Sequence, residues 1–203
     1  MKESETTWVQ QARAGDRAAF SSLVESYQTP VYNLAYRMLG NVAEAEDAAQ
    51  EAFIRAYTRL HTYDPGRKFS SWLLAITSHY CIDLLRKRRI QTLPLDDLPP
   101  KIELAMPPTT QPEQVVVRQQ DASAVQALLS VLAPAYRTPL ILRYWYDMSY
   151  HEIAETMGLN EGTVKTRLYR ARNKLVHYVS SMALSAHARS ELGQEQQAIE
   201  RAA

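Results

Sequence analysis

One stretch towards the C-terminal end, residues 148–175, constrains the fold of this chain more than any other. Ser149 followed three residues later by Glu152 is a capping-box pattern, which begins a helix. Gly158 is suited to ending that helix, because glycine enters the left-handed conformation without a steric cost. Asn160 can cap a second helix immediately afterwards. The stretch therefore predicts a helix, a tight turn and another helix.

The second of these helices has two chemically different sides. Apolar residues recur along it at spacings of four, three and four, which predicts one buried stripe. The stripe consists of Val164, Leu168, Ala171 and Leu175. The rest of the helix provides the candidates for DNA contact, which are Lys165, Thr166, Arg167, Tyr169, Arg170 and Lys174. Cations, hydrogen-bonding groups and a ring suit phosphates and base edges, so the pattern predicts a helix-turn-helix that enters the major groove. The alternative is a helical hairpin with a solvated basic face.

Positive charge is concentrated locally in this chain. Over 203 residues the formal net charge is only +1, yet a second basic cluster exists besides the one just described. It consists of Arg86, Lys87, Arg88 and Arg89. Two separated basic patches favour two contacts with one nucleic acid.

Cysteine content and hydropathy limit where such a chain can work. The single Cys81 excludes an intramolecular disulfide and a multi-cysteine zinc site, and it fits a reducing compartment. The first residues, MKESETTWVQQ, have no apolar core of a signal peptide. No stretch approaches the roughly 20 apolar residues of a membrane span. We therefore expect a cytoplasmic protein without membrane insertion.

Helical periodicity runs through nearly the whole sequence, which predicts an all-α fold of two small helical domains. We expect a first domain over residues 1–90, a linker over 91–120, a second domain over 121–180 and a tail over 181–203 that is rich in helix formers. In the helix predicted for residues 43–60, the expected buried residues are Ala49, Phe53, Ala56 and Leu60. Its expected exposed residues are Glu46, Asp47, Gln50, Glu51 and Arg55. In the helix predicted for residues 70–89, the expected buried residues are Trp72, Leu73, Ile76, Ile82 and Leu85.

Periodicity fails in the predicted linker. Six prolines between residues 94 and 112 exclude a continuous helix, and acidic residues outnumber Lys101. This composition predicts a flexible, mildly acidic linker between two domains that fold separately. An inert spacer is an equally good interpretation of the composition alone.

Aromatic and imidazole rings are followed by cations in the stretch that includes the helix predicted for residues 70–89. Phe69, Trp72, His79 and Tyr80 precede the Arg86–Arg89 cluster. Rings interleaved with cations suit unpaired bases and a strand backbone, because every base has a face that can stack. The alternative is that Phe69 and Trp72 are core and the cluster is solvated; for Trp72 alone, core is favoured.

Catalytic patterns do not emerge from the sequence. The histidines are scattered without metal-ligand spacing, and no glycine-rich phosphate loop is present. We therefore expect a binding protein that is not an enzyme and that has no cofactor or metal.

The order of these parts resembles a bacterial extracytoplasmic-function (ECF, group 4) sigma factor of the sigma-70 family, over residues 14–179. GDRAAFSSLVESYQTPVYNLAYRMLGN resembles the start of sigma region 2, and AEDAAQEAFIRAY resembles its core-polymerase-binding helix. FSSWLLAITSHYCIDLLRKRR resembles the helix that melts the promoter and reads the minus-10 element. MSYHEIAETMGLNEGTVKTRLYRARNKL resembles region 4.

This resemblance implies partners and residue roles. The chain would bind core RNA polymerase, through the coiled coil of the largest subunit and the flap of the second-largest, and would bind promoter DNA and an anti-sigma factor. Core binding would fall to Asp47, Gln50, Glu51 and Arg55. Minus-10 recognition and melting would fall to Tyr63, Lys68, Trp72, His79, Arg86, Lys87, Arg88 and Arg89. The minus-35 duplex would be read by the second helix of the helix-turn-helix, through the candidates for DNA contact named above.

One residue departs from the family pattern. His79 stands where the family usually has the asparagine that helps to form the minus-10 base pocket. A helix-turn-helix regulator that does not bind core polymerase is the alternative function. Such a regulator needs neither the polar face of residues 46–55 nor the arginine cluster of residues 86–89, so these two features favour the sigma factor.

Overall fold

The structure is a computed structural model that describes residues 2–91 and 123–202. The first unit, residues 2–91, contains α1 (Lys2–Arg13), α2 (Arg17–Leu39), α3 (Val42–Arg59), a short 3-10 turn and α4 (Phe69–Gln91). The second unit, residues 123–202, contains α5 (123–130), α6 (Pro134–Trp145), α7 (Tyr150–Met157) and α8 (Glu161–Ala202). Every regular element in these two ranges is helical, so the predicted all-α fold is confirmed. Apart from residue 91, the predicted linker lies outside the described residues.

Short polar side chains begin α2 and α3 of the first unit. The carboxylate of Asp16 accepts from the backbone N–H groups of Ala18 and Ala19, at 2.8 and 3.3 Å, and so caps α2. The side chain of Asn41 caps α3 by accepting from the N–H of Glu44 at 3.1 Å. Gly40 ends α2 with φ of 76°.

The buried face of α3 differs from the prediction. Ala45, Ala48, Ala52 and Ala56 are completely buried, whereas Ala49 and Phe53 are only half-buried. Four alanines on one face let α3 lie close to α2 and α4, because the distance between packed helices depends on the side chains at their contact. Ala56 and Leu60 are buried as predicted, whereas the predicted burial of Ala49 and Phe53 is only partial.

The buried face of α4 also departs from the prediction, because it includes small polar residues. Its completely buried positions include Leu73, Thr77, Ser78 and Cys81. The hydroxyl of Thr77 donates to the carbonyl of Leu73 at 2.9 Å, and that of Ser78 donates to the carbonyl of Ala75 at 3.1 Å. Buried hydroxyls that return to their own helix in this way cost little. The predicted core residues Trp72, Ile76, Ile82 and Leu85 are only half-buried.

α6 lies at the centre of the second unit and is buried on more than one side. All six residues from 137 to 142 are buried, since α6 packs on α8 and also on α2 and α4 of the first unit. Tyr144 and Trp145 are 55% and 38% exposed. They lie in the last turn of α6, beyond this buried segment.

The two units share one hydrophobic core. Leu34 and Met38 of α2 belong to the same buried cluster as Leu129, Ile141 and Leu168 of the second unit. The two units therefore pack against each other in this structure. α2 and α6 provide apolar surface to both units at once.

Polar contacts accompany this shared core. The hydroxyl of Tyr146 donates to the carbonyl of Pro30 at 2.6 Å, and the side chain of Gln126 donates to the carbonyl of Arg37 at 3.3 Å. The guanidinium of Arg37 lies 4.9 Å from the ring centroid of Trp145. Burial raises the pKa of the Tyr146 hydroxyl well above its usual value, so this group remains a donor.

The predicted tail continues the last helix. α8 extends without interruption from Glu161 to Ala202. Within the described ranges, no helix combines the length and apolar character needed to cross a membrane.

Candidate nucleic-acid interface

The helix-turn-helix forms as its local signals predict. The N–H of Glu152 donates to the hydroxyl of Ser149 at 3.1 Å, and the N–H of Ser149 donates back to Oε2 of Glu152 at 2.8 Å. Gly158 ends α7 with φ of 64°. The N–H of Thr163 donates to Oδ1 of Asn160 at 2.7 Å, which caps α8. These contacts fix the angle at which α8 leaves the turn.

The apolar stripe fixes the rotation of α8. Val164, Leu168 and Ala171 are completely buried and Leu175 is half-buried. Of the candidates for minus-35 contact, the exposed ones are Lys165, Thr166, Tyr169, Arg170 and Lys174, whereas Arg167 is half-buried. The side chains of Thr166, Arg167 and Arg170 line one side of a polar cleft of about 470 Å³, and Tyr136 of α6 lines the other. The exposed cations, the hydroxyl of Thr166 and the ring of Tyr169 therefore lie outside the buried stripe of α8.

Tyr63 supports the loop before α4 from within. Its side chain is only 6% exposed, its hydroxyl donates to the carbonyl of Arg67 at 2.5 Å, and its ring lies 5.5 Å from Phe69 and 5.4 Å from Trp72. Burial raises the pKa of this hydroxyl. The prediction that Tyr63 contacts DNA needs correction, because its ring and hydroxyl face the protein. Phe69 is also core, at 2% exposure.

The other minus-10 candidates of the loop and of early α4 lie together. Lys68, Trp72 and His79 line a cleft of about 590 Å³. Its opposite wall is α7 of the second unit, through His151, Glu152, Glu155 and Thr156. No local pattern indicated this opposite wall, since 72 residues or more separate His79 from it along the chain.

Two ion pairs cross this cleft. Nζ of Lys68 lies 2.6 Å from Oε1 of Glu152, and Nη2 of Arg67 lies 3.4 Å from Oε1 of Glu155. The hydrogen bond from Lys68, together with the backbone N–H of Ser149, lowers the pKa of Glu152 to about 2. Glu152 is therefore a fixed negative charge at neutral pH.

The arginine cluster at the end of α4 is divided in the structure. Arg86 and Lys87 are exposed, and Arg86 lies 3.8 Å from Asp83. Arg88 forms an ion pair with Glu44 of α3. The side chain of Arg89 lies outside the described part of the chain. Arg86 and Lys87 are thus the cations of this cluster that the structure presents to solvent.

The face of α3 predicted to bind polymerase contains two kinds of residue. Asp47 and Gln50 are exposed. Glu51 is half-buried and pairs with Arg55 at 2.7 Å, and the guanidinium of Arg55 lies 4.5 Å from the ring centroid of Tyr80 in α4. Glu51 and Arg55 therefore connect α3 to α4.

A groove that the sequence interpretation missed runs beside Gln50. It has a volume of about 390 Å³ between α2 and α3 and is lined in part by Val24, Tyr32, Ala49 and Phe53. The apolar character of Ala49 and Phe53 was visible in the sequence but was assigned to the core.

No group of three or more histidine, cysteine, aspartate or glutamate side chains in the described ranges is arranged to hold a metal ion. Burial raises the pKa of the Cys81 thiol to about 12, so this cysteine stays protonated and is not nucleophilic at neutral pH.

Comparison with known families matches both units. Residues 23–90 match the model of sigma-70 region 2, and residues 122–175 match the model of sigma-70 region 4. The ECF RNA polymerase sigma factor SigW of Bacillus subtilis is 39% identical over 173 residues, which cover 82% of this chain and 92% of that one. The chain belongs to the ECF group of the sigma-70 family. Such a sigma factor directs RNA polymerase to promoters, and the family consists of initiation factors, not enzymes.

Other relatives agree with this assignment. The ECF sigma factor SigE of Mycolicibacterium smegmatis is 36% identical over 170 residues, which cover 82% of this chain and 65% of that relative. CnrH, solved in complex with the cytosolic domain of CnrY, has a TM-score of 0.66 at 24% identity and covers 88% of this chain and 98% of that chain. This last likeness is one of fold alone. The sigma factor described here therefore has the helical architecture of its family.

Proposed function

We propose that this sigma factor reads the minus-35 duplex with α8, holds the minus-10 strand along the wall of Lys68, Trp72 and His79, and docks on core polymerase through α3. The observation that carries the proposal is the orientation of α8. Its buried stripe leaves Lys165, Tyr169 and Arg170 together on an outer face. That face offers both a bidentate donor for guanine and cations for phosphate.

The minus-10 role rests on the chemistry of the cleft beside α4. Trp72 offers a partly exposed ring, Lys68 a cation and His79 a hydrogen-bonding ring on one wall. An unpaired base can stack on such a ring while the strand backbone follows the cations. Arg86 and Lys87 extend the positive surface further along α4. Tyr63 has the role of positioning Trp72 and the loop.

Polymerase docking is assigned to the rim of the α2–α3 groove. Gln50 lines this groove beside the half-buried Phe53 and Tyr32, which supply apolar surface, and Asp47 is exposed on the same helix. A polar rim around an apolar centre is the usual anatomy of a protein interface. Glu51 and Arg55 act indirectly, by holding α3 against α4.

Further partners complete the proposal. The second unit would contact the flap of the second-largest polymerase subunit, and an anti-sigma factor would sequester the free protein. We infer a cytoplasmic location, because core polymerase and promoter DNA are found there.

Binding to core RNA polymerase separates this proposal from that of a plain helix-turn-helix regulator. Asp47→Lys should weaken binding of the full chain to purified core polymerase by about fivefold or more, as expected for loss of a charged contact. Glu161→Lys makes the same charge change on an exposed residue of the second unit and should leave the affinity within about twofold. If wild-type protein does not comigrate with core polymerase, the regulator is the better function. If both variants bind like the wild type, the docking face is elsewhere.

A further inference from the structure

One edge of α8 faces the start of α6 and carries three cations. Arg167, Arg170 and Lys174 follow each other at spacings of three and four, so they lie along one side of the helix. Arg167 and Arg170 line the polar cleft of about 470 Å³, and Tyr136 lines it from α6. Nζ of Lys174 lies 5.3 Å from the centroid of the Tyr136 ring. The cations of this edge therefore lie beside one aromatic side chain of another helix.

We propose that Tyr136 is a positioning residue for minus-35 recognition. Its ring holds the ammonium of Lys174 at this edge of α8, so that Lys174 and Arg167 together bind phosphates of one DNA strand. This role rests on the function proposed above, because it takes α8 as the helix that enters the major groove. Sequence patterns did not single out Tyr136, since 38 residues separate it from Lys174 along the chain.

The cleft beside this edge has the electrostatics of an anion site. None of the described residues that line it is acidic, so the guanidiniums of Arg167 and Arg170 are not neutralised within it. Both α6 and α8 begin at the cleft, through Ala135 and Gly162, each the second residue of its helix. No side chain caps α6, whose N-cap residue is Ala133. Two guanidiniums and the positive ends of two helix dipoles therefore favour a phosphate there.

The two arginines differ in exposure, which separates their roles. Arg167 is half-buried against the protein, whereas Arg170 is exposed. A helix in the major groove has base edges in front of it and phosphates along its flanks. Arg167 therefore suits a phosphate, and Arg170 keeps the guanine contact. Seven residues separate Arg167 from Lys174, which is about 10 Å of helix at 1.5 Å per residue, so the two cations can meet different phosphates.

A lysine benefits from being held in place before it binds. Its four-carbon side chain is flexible, and fixing it on binding costs entropy. The Tyr136 ring is half-buried and is therefore positioned by the fold, while Lys174 is exposed. Attraction between the ammonium and the ring face limits the motion of Lys174 before DNA arrives, so less entropy is lost when a phosphate binds. The ammonium has three N–H donors, so it can contact a phosphate while it stays over the ring.

The test measures binding of the full chain to a fluorescein-labelled duplex of mixed sequence, by anisotropy at several salt concentrations. Phosphate contacts are independent of sequence, and each adds about 0.9 to the steepness of log affinity against log salt concentration. We expect Tyr136→Leu to lower the affinity about two- to fivefold and to flatten the salt dependence towards that of Lys174→Ala. Tyr136→Phe keeps the ring face and should bind like the wild type.

Two comparisons separate positioning of Lys174 from a general loss of structure. Tyr178→Leu removes another half-buried ring, which does not line the cleft, and should leave the affinity and the salt dependence unchanged. In the Lys174→Ala background, Tyr136→Leu should have no further effect, because the side chain that it positions is already absent. Equal effects of Tyr136→Leu in the two backgrounds, or equal losses for Tyr136→Phe and Tyr136→Leu, would overturn the proposal.

Failure of the proposed function would look different. If Arg167→Ala, Arg170→Ala and Lys174→Ala all bind the duplex like the wild type, α8 does not enter the groove, and both proposals fail. If these three variants weaken binding while Tyr136→Leu does not, α8 keeps its function and only the role of Tyr136 is wrong.

Discussion

The guanidinium of Arg137 in α6 donates from Nη1 to the main-chain oxygen of Met38 in the last turn of α2, at 2.5 Å. Nη2 of the same side chain donates to the carbonyls of Ser130 and Leu132, each at 3.0 Å. Arg137 is 8% exposed, and burial lowers its pKa to about 10, so it remains protonated at neutral pH. A cation at a helix C-terminus also complements the helix dipole. One side chain thus satisfies carbonyls of both units at their junction.

Replacing Arg137 should destabilise the whole chain. Arg137→Met leaves the buried carbonyls of Met38 and Leu132 without this donor, and we expect a loss of about 2–3 kcal/mol in the free energy of unfolding. Urea denaturation followed by circular dichroism measures this change. Arg143→Met is the matched control, because Arg143 is exposed and donates only within its own unit, to Met148. Equal losses for the two variants would contradict the role given to Arg137.

The turn of the helix-turn-helix depends on the backbone of Gly158. Its φ of 64° is left-handed, and an added Cβ would meet no atom within 4 Å, so only backbone strain opposes a side chain there. Gly158→Ala should therefore cost about 1 kcal/mol in the free energy of unfolding. Asparagine tolerates this conformation better, so Gly158→Asn should cost less when both are measured by thermal denaturation. A larger loss for asparagine would show that space or polarity matters at this position.

Acid should weaken the contact between Lys68 and Glu152. The pKa of Glu152 falls from 4.5 to about 2 in the folded protein, so the unfolded chain binds more protons between these values. The stabilisation is therefore complete above pH 4.5 and is lost as the pH falls towards 2. Solvent screening limits it to roughly 1 kcal/mol. The difference in unfolding free energy between wild type and Glu152→Gln should shrink over this range, and a difference that is constant with pH would contradict the assignment.

Minus-35 reading should separate two residues of α8. Arg170→Ala should relax base preference at one or two positions, with a bidentate guanine contact worth about 1–3 kcal/mol of discrimination. Lys174→Ala should weaken all duplexes alike and flatten the salt dependence, as expected for a phosphate contact. Binding of the full chain to single-base-substituted duplexes at two salt concentrations measures both. A uniform loss for Arg170→Ala would show that the assumed orientation of α8 in the groove is wrong.

Local signals made the helix-turn-helix predictable from sequence. The cap at Ser149, the left-handed Gly158 and the cap at Asn160 each act within a few residues, and all three occur as predicted. The buried stripe of α8 was also predicted correctly from the spacing of its apolar residues, because a surface helix buries one side only. Fold class and family could therefore be predicted with little dependence on long-range contacts.

Long-range packing explains what sequence reasoning missed. Small alanines, not Phe53, form the buried face of α3. Thr77 and Ser78 of α4 can face the hydrophobic core because their hydroxyls donate to carbonyls of their own helix. α6 packs on helices of its own unit and on α2 and α4 of the first unit. The hydrophobic periodicity of one helix cannot indicate contacts on several of its sides. The burial of Tyr63 and the pairing of Lys68 with Glu152 likewise depend on residues far away in the chain.

Transcription initiated by reconstituted polymerase tests the central claim most directly. Core RNA polymerase would be mixed with this protein and a library of templates with randomised upstream sequences, and the 5′ ends of the RNA would be sequenced together with their templates. We predict starts that require the protein, on templates that share two upstream motifs at fixed spacing, and an altered upstream motif for Arg170→Ala. The same starts with core polymerase alone, or no RNA with the protein present, would contradict the account.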